Sequence, residues 1–151
     1  MAETHEYEVI GQWGGGRGGT LESHVLNHVI EFSAPPEFQG RVGFWTPEHF
    51  LVGAVTSCFI STFAAIAEMS KLEIVSLRVG AKGVLEKVEG GGYRFSEIVL
   101  YPELSIARSE DRERAQRLIE KAERGCLIAR SLSSKVSAIP AITVHEPVAA
   151  D

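Results

Sequence analysis

The residues in this chain best suited to chemistry are its two cysteines, Cys58 and Cys126. A cysteine reacts as its thiolate, so its surroundings decide whether it does anything. Cys58 sits in the middle of a long apolar stretch, next to Ser57. Cys126 directly follows Gly125, a helix breaker, where exposed backbone N–H groups could lower a thiol pKa. Both also fit as small buried hydrophobes, the commoner fate of a free cysteine.

Three other residues have types and settings that suit a site. Arg17 is flanked by glycines in GGGRGG, on a backbone that other groups can approach closely. Arg41, in QGRVG, has the same two readings: a site cation or a solvated loop charge. Glu48 lies in the first turn of an expected helix, where an acid compensates the dipole; it could equally hold an arginine by a bidentate pair. Glu48 precedes Cys58 by ten residues, about 15 Å along a helix axis at 1.5 Å per residue. One chain cannot bring both to the same substrate unless helices of two chains cross.

The histidines point to no metal. His24 and His28 are expected on one strand, where a spacing of four puts them on one face but about 13 Å apart. His49 adjoins Glu48 with no HExxH following, and His5 and His145 lie in the terminal regions. The glycine cluster lies between expected strands and lacks Gly-Lys-Ser/Thr, so it is neither a dinucleotide nor a P-loop fingerprint.

The elements that must position these residues follow from pattern. Residues 6–13 and 20–33 read as strands, separated by the glycine-rich turn. Thr46-Pro47-Glu48 is a helix start, with Thr as N-cap and Pro at the first helical position. The helix should run from Pro47 to Met69, apolar nearly all round and so enclosed on every side. A small domain has difficulty enclosing such a helix, which points to cover from a second subunit. Leu72–Lys87 and Tyr93–Ile106 form a hairpin across Gly90-Gly91-Gly92, with Gly80 and Gly83 as candidate bulges. Ser109-Glu110-Asp111 opens a second helix with an apolar stripe of Ala115, Leu118, Ile119 and Ala122. Gly125 interrupts it, a short helix follows Cys126, and Ala141–His145 is a last strand. This order predicts one domain over residues 1–151 of α+β class, a mainly antiparallel sheet wrapped around a long buried central helix.

Composition narrows the function classes. With 151 residues, 15 Lys+Arg and 20 Asp+Glu, the chain carries a net charge of −5. It has no basic stripe, so nucleic acid and anionic membranes are poor partners. Two distant cysteines make neither a secreted disulfide framework nor a thiolate zinc site. The uncharged stretch from Phe50 to Ala67 is long enough to raise a membrane span. Its Thr and Ser content and its lack of flanking anchors favour a buried helix in a cytoplasmic protein.

Taken together, TPEHFLVGAVTSCFISTF resembles the signature of the OsmC/Ohr family, the osmotically inducible and organic hydroperoxide resistance proteins. Glu48 and Cys58 meet the family's Pro-Glu-to-cysteine spacing, Cys126 matches its second cysteine, and Arg17 matches the arginine of its glycine-rich turn. Leu127 stands where the family often has proline, and the loop EFQGRVGFW points to the broad OsmC-like group.

The resemblance implies a thiol-dependent peroxidase that reduces organic hydroperoxides, working as an intertwined homodimer with each site between subunits. Cys58 would be the peroxidatic thiol and Cys126 the resolving one. Arg17 would favour the Cys58 thiolate, with Glu48 orienting Arg17; Arg41 competes for the arginine role. No cofactor or metal is implied, only an external dithiol of lipoyl or thioredoxin type. A different class, a non-catalytic module that binds a small hydrophobic ligand or senses redox state, would keep the same fold.

Overall fold

A computed structural model describes residues 3–145. The chain forms two compact units, divided between Leu51 and Val52, within one continuous helix.

The first unit holds a three-stranded antiparallel sheet of β1 (Ile10–Gly15), β2 (Gly18–Glu22) and β3 (Ile30–Ser33), in that order. The turn between β1 and β2 needs glycine. Gly15 and Gly16 have φ of 105° and 54°, in the left-handed region that side chains disfavour. The Trp13 indole N–H donates to the Gly16 carbonyl at 2.9 Å and ties the turn down. The first strand lies further along the chain than residues 6–13. The expected strand over residues 20–33 is two strands, because the chain turns where Leu26 N–H closes on the Ser23 carbonyl at 3.1 Å. His24 and His28 therefore lie in a connection and share no strand face.

Helix α1 spans Pro47–Met69, the bounds the sequence predicts. Thr46 caps it: its hydroxyl accepts from His49 N–H at 3.0 Å, and its carbonyl accepts from Phe50 N–H at 2.9 Å. By length and composition α1 could cross a membrane. Here Val55, Phe59, Phe63, Ile66 and Ala67 form a buried stripe with helical spacing, while Ile60 and Met69 stay exposed.

In the second unit, β4 (Ile74–Lys87) and β5 (Tyr93–Ile106) form the long antiparallel hairpin. Its register shifts fall at Ile74/Ser76 and Val84/Leu85 and not at Gly80 or Gly83. Gly83 has another reason to be small. A Cβ there would stand 2.6 Å from Val52 Cγ2 and 2.8 Å from Phe95 Cε1, so the helix and the neighbouring ring crowd this point of the strand.

A single 3-10 turn (Ser109–Asp111) leads into α2 (Arg112–Gly125) without a side-chain cap. Asp111 instead pairs with Arg108 at 3.3 Å and Arg114 at 3.1 Å. Ala115, Leu118, Ile119 and Ala122 are buried, as their stripe predicts. α3 (Leu127–Arg130) follows Cys126. Two strands, β6 (Lys135–Ala138) and β7 (Ala141–Val144), run parallel to β5, β6 along Glu97–Leu100 and β7 along Glu103–Ile106. β6 is not among the strands the sequence pattern predicts.

The core collects the α1 stripe, alternate residues of β5 (Ile98, Leu100, Leu104, Ile106) and the α2 stripe. The fold is α+β, with helices packed on sheet and the longest strand pair antiparallel.

Candidate active site

The middle of α1 and the break between α2 and α3 bring Cys58 and Cys126 together. Cys58 is half-buried; Cys126 is 1% exposed, and both are free thiols. Cys126 holds the N-cap position of α3 in an extended conformation, φ −67° and ψ 108°. That bend directs the first N–H groups of α3 at the sulfurs. The Cys126 thiol also lies 3.9 Å from the Val55 carbonyl, which it can reach as a donor.

The same contacts act oppositely on the two acidities. Burial pushes the Cys58 thiol up. Against that, the Ile128 N–H, the Cys126 thiol, the Thr62 hydroxyl and the Leu127 N–H all favour its anion, and the net pKa lies below the ordinary thiol value. Thr62 is one helical turn beyond Cys58, with its Oγ1 3.8 Å from Sγ. For Cys126, burial again raises the pKa. The Ala129 and Ile128 N–H groups lower it, but donation to Cys58 and repulsion from the Cys58 charge add to burial, and the net pKa is raised. The pair is thus one thiol ready to ionise beside one that holds its proton.

The other expected site residues lie in the first unit. Arg17 donates from Nη2 to Gln39 Oε1 at 3.0 Å. Arg41 lays its guanidinium over the Phe44 ring, 4.1 Å from the centroid, and its backbone N–H donates to Ser33 Oγ at 2.9 Å. Both arginines line one cleft with Gly14, Gly15, Gly16, Ser33, Gln39 and Gly40. Glu48 is half-buried, and its Oε2 is buried without a hydrogen-bond partner among the described residues. No group of three or more His, Cys, Asp and Glu that could hold a metal occurs among the described residues.

Thr62 and the α3 N–H groups were not singled out by sequence reasoning. Thr62 was legible in principle, being four residues after Cys58 on one helix face. The N–H donors were not, because they belong to a distant segment and carry no side-chain signature.

The family model described as OsmC-like protein matches residues 40–139. The chain belongs to the OsmC-like family. Its relative YmaD of Bacillus subtilis, an uncharacterized protein, is 33% identical over 141 residues, covering 90% of this chain and 91% of YmaD. An OsmC-like protein of unknown function from Vibrio cholerae superposes with a TM-score of 0.82 at 22% identity, over 91% of this chain and 100% of that one. An organic hydroperoxide resistance protein from Elizabethkingia anophelis gives 0.73 at 22% identity, over 95% of this chain and 100% of that one. At such identities the two structures establish a shared fold. The OsmC-like fold expected from TPEHFLVGAVTSC is therefore the one observed.

Proposed function

We propose that this OsmC-like protein is a cysteine-based peroxidase that reduces organic hydroperoxides. One observation carries the reading: the two thiols adjoin, and the more exposed one is the more acidic. The Cys58 thiolate attacks the terminal peroxide oxygen. The O–O bond breaks, a proton is taken up, an alcohol leaves, and Cys58 becomes a sulfenic acid. Cys126 then attacks that sulfur; water leaves and a Cys58–Cys126 disulfide forms. An external dithiol, lipoyl or thioredoxin-type, supplies the two electrons that restore both thiols.

In this reading Arg17 favours the Cys58 thiolate and polarises the peroxide, Glu48 orients the arginine, and no cofactor or metal takes part. The working form is a homodimer with its sites between subunits. Two features support that: the exposed apolar side chains of the first unit, Tyr7, Val9, Trp13, Val25 and Leu26 among them, and the unpartnered Glu48 oxygen. The compartment is the cytoplasm, where a thiol pair stays reduced between turnovers.

The test is consumption of cumene hydroperoxide with dithiothreitol or dihydrolipoamide as reductant. Wild type turns over, and Cys58→Ser does not. With no reductant present, Cys126→Ser consumes one equivalent and stops at the sulfenic acid. Equal rates for wild type and Cys58→Ser would overturn the assignment.

A further inference from the structure

We propose that Cys58 and Cys126 together form a binding site for a soft, two-coordinate d10 cation, copper(I) in a reducing compartment. The site lies wholly within the second unit and does not depend on the peroxidase reading. Val55, Cys58 and Thr62 share one face of α1, at positions i, i+3 and i+7. Each end of that face meets the break between α2 and α3. The Cys126 thiol lies 3.9 Å from the Val55 carbonyl, and Thr62 Cγ2 lies 3.8 Å from the point where a Cβ on Gly125 would stand. Cys58 sits between these two contacts, so the fold sets its sulfur against Cys126. The Ile128 N–H faces both sulfurs.

The donor set selects the ion. Thiolates are soft ligands and suit copper(I) or zinc. Zinc in a closed protein site takes four ligands, and among the described residues no further His, Cys, Asp or Glu joins the two sulfurs in a cluster. A copper(I) ion is satisfied by two thiolates in line. On binding, two S–H bonds break, two Cu–S bonds form, two protons leave to solvent, and no electron moves. The bis-thiolate so formed carries one net negative charge. The Leu127 and Ile128 N–H groups face Cys58, and the Ile128 and Ala129 N–H groups face Cys126. Donors around the sulfurs stabilise that charge and hold the ligands in place. Cys58 is half-buried and supplies the way in, while Cys126, 1% exposed, closes the back of the site.

The test is anaerobic competition for copper(I) against bicinchoninate, on reduced protein free of added thiols. The expected result is one ion per chain withdrawn from the chelator. Cys58→Ser and Cys126→Ser should each lower the affinity roughly a hundredfold, because a single soft donor remains. Circular dichroism and the urea midpoint of the ion-free variants check that they fold. Wild type alkylated with iodoacetamide is unmutated and should lose the ion as well. Zinc, added in excess, should leave the copper in place. Copper kept entirely by the chelator, undiminished uptake in either serine variant, displacement by zinc, or one ion shared by two chains would overturn the proposal. Peroxide is absent throughout, so the outcome is separate from the turnover of cumene hydroperoxide.

Discussion

The Cys58 thiol, midway along α1, neighbours the Cys126 thiol at the head of α3, and each shifts the other's acidity, Cys58 downward and Cys126 upward. A bond donated to one sulfur favours its anion and obliges the donor to keep its proton. Each thiol is therefore tuned by the other, and removing either changes the one that remains.

The first prediction is a split in alkylation. With iodoacetamide over a pH series, Cys58 should react at lower pH than an ordinary thiol, and Cys126 only at higher pH. In Cys126→Ala the Cys58 profile should move up, because a donor is lost. In Cys58→Ala the Cys126 profile should move down, because donation and charge repulsion both vanish and burial alone still raises it. Site-resolved mass spectrometry reads both; one shared profile for the two sulfurs would contradict the geometry.

The pH dependence of stability follows from the same directions. The lowered Cys58 pKa adds stability that is present above the unfolded thiol pKa and lost as pH falls through the folded one. The raised Cys126 pKa adds stability that is present below the unfolded value and lost as pH rises through the folded one. Urea unfolding should therefore show Cys126→Ser losing less stability than wild type when pH is raised through the alkaline thiol range.

Thr62→Val keeps the shape of the side chain and removes the hydroxyl 3.8 Å from Cys58 Sγ. The Cys58 alkylation profile should shift to higher pH, while the stability change stays near the ~0.5–1.5 kcal/mol of one hydrogen bond. An unchanged profile would show that the hydroxyl does not reach the thiolate.

Gly83→Ala tests the crowding between β4 and α1. A Cβ 2.6 Å from Val52 Cγ2 and 2.8 Å from Phe95 Cε1 forces both side chains to move. The expected cost is about 1–3 kcal/mol of overpacking, read as a lower urea midpoint at unchanged slope. Gly80→Ala, where the nearest atom is Tyr101 Cβ at 4.0 Å, should cost much less.

Much of this fold was legible in the chain. Thr46-Pro47-Glu48 marked the start of α1, and the hairpin strand Tyr93–Ile106 has the bounds its alternation implies. The α2 stripe is buried residue for residue. The failures are equally local. Residues 20–33 alternate too loosely to show the turn at Ser23–Leu26, and Ser109-Glu110-Asp111 forms a 3-10 turn ahead of α2, with Asp111 paired to Arg108 and Arg114.

The sequence by itself determined the bounds of α1 and of the strand Tyr93–Ile106, the candidate thiols and the family they resemble, because caps, periods and motif spacings are properties of neighbouring residues. Only the tertiary structure chose which face of the uniformly apolar α1 is buried, and which sulfur is the acidic one. Both depend on groups brought in from distant segments, β5 and α2 for the buried face and the α3 N–H donors for the thiols. Hydrogen bonds act only over the few ångströms that folding creates.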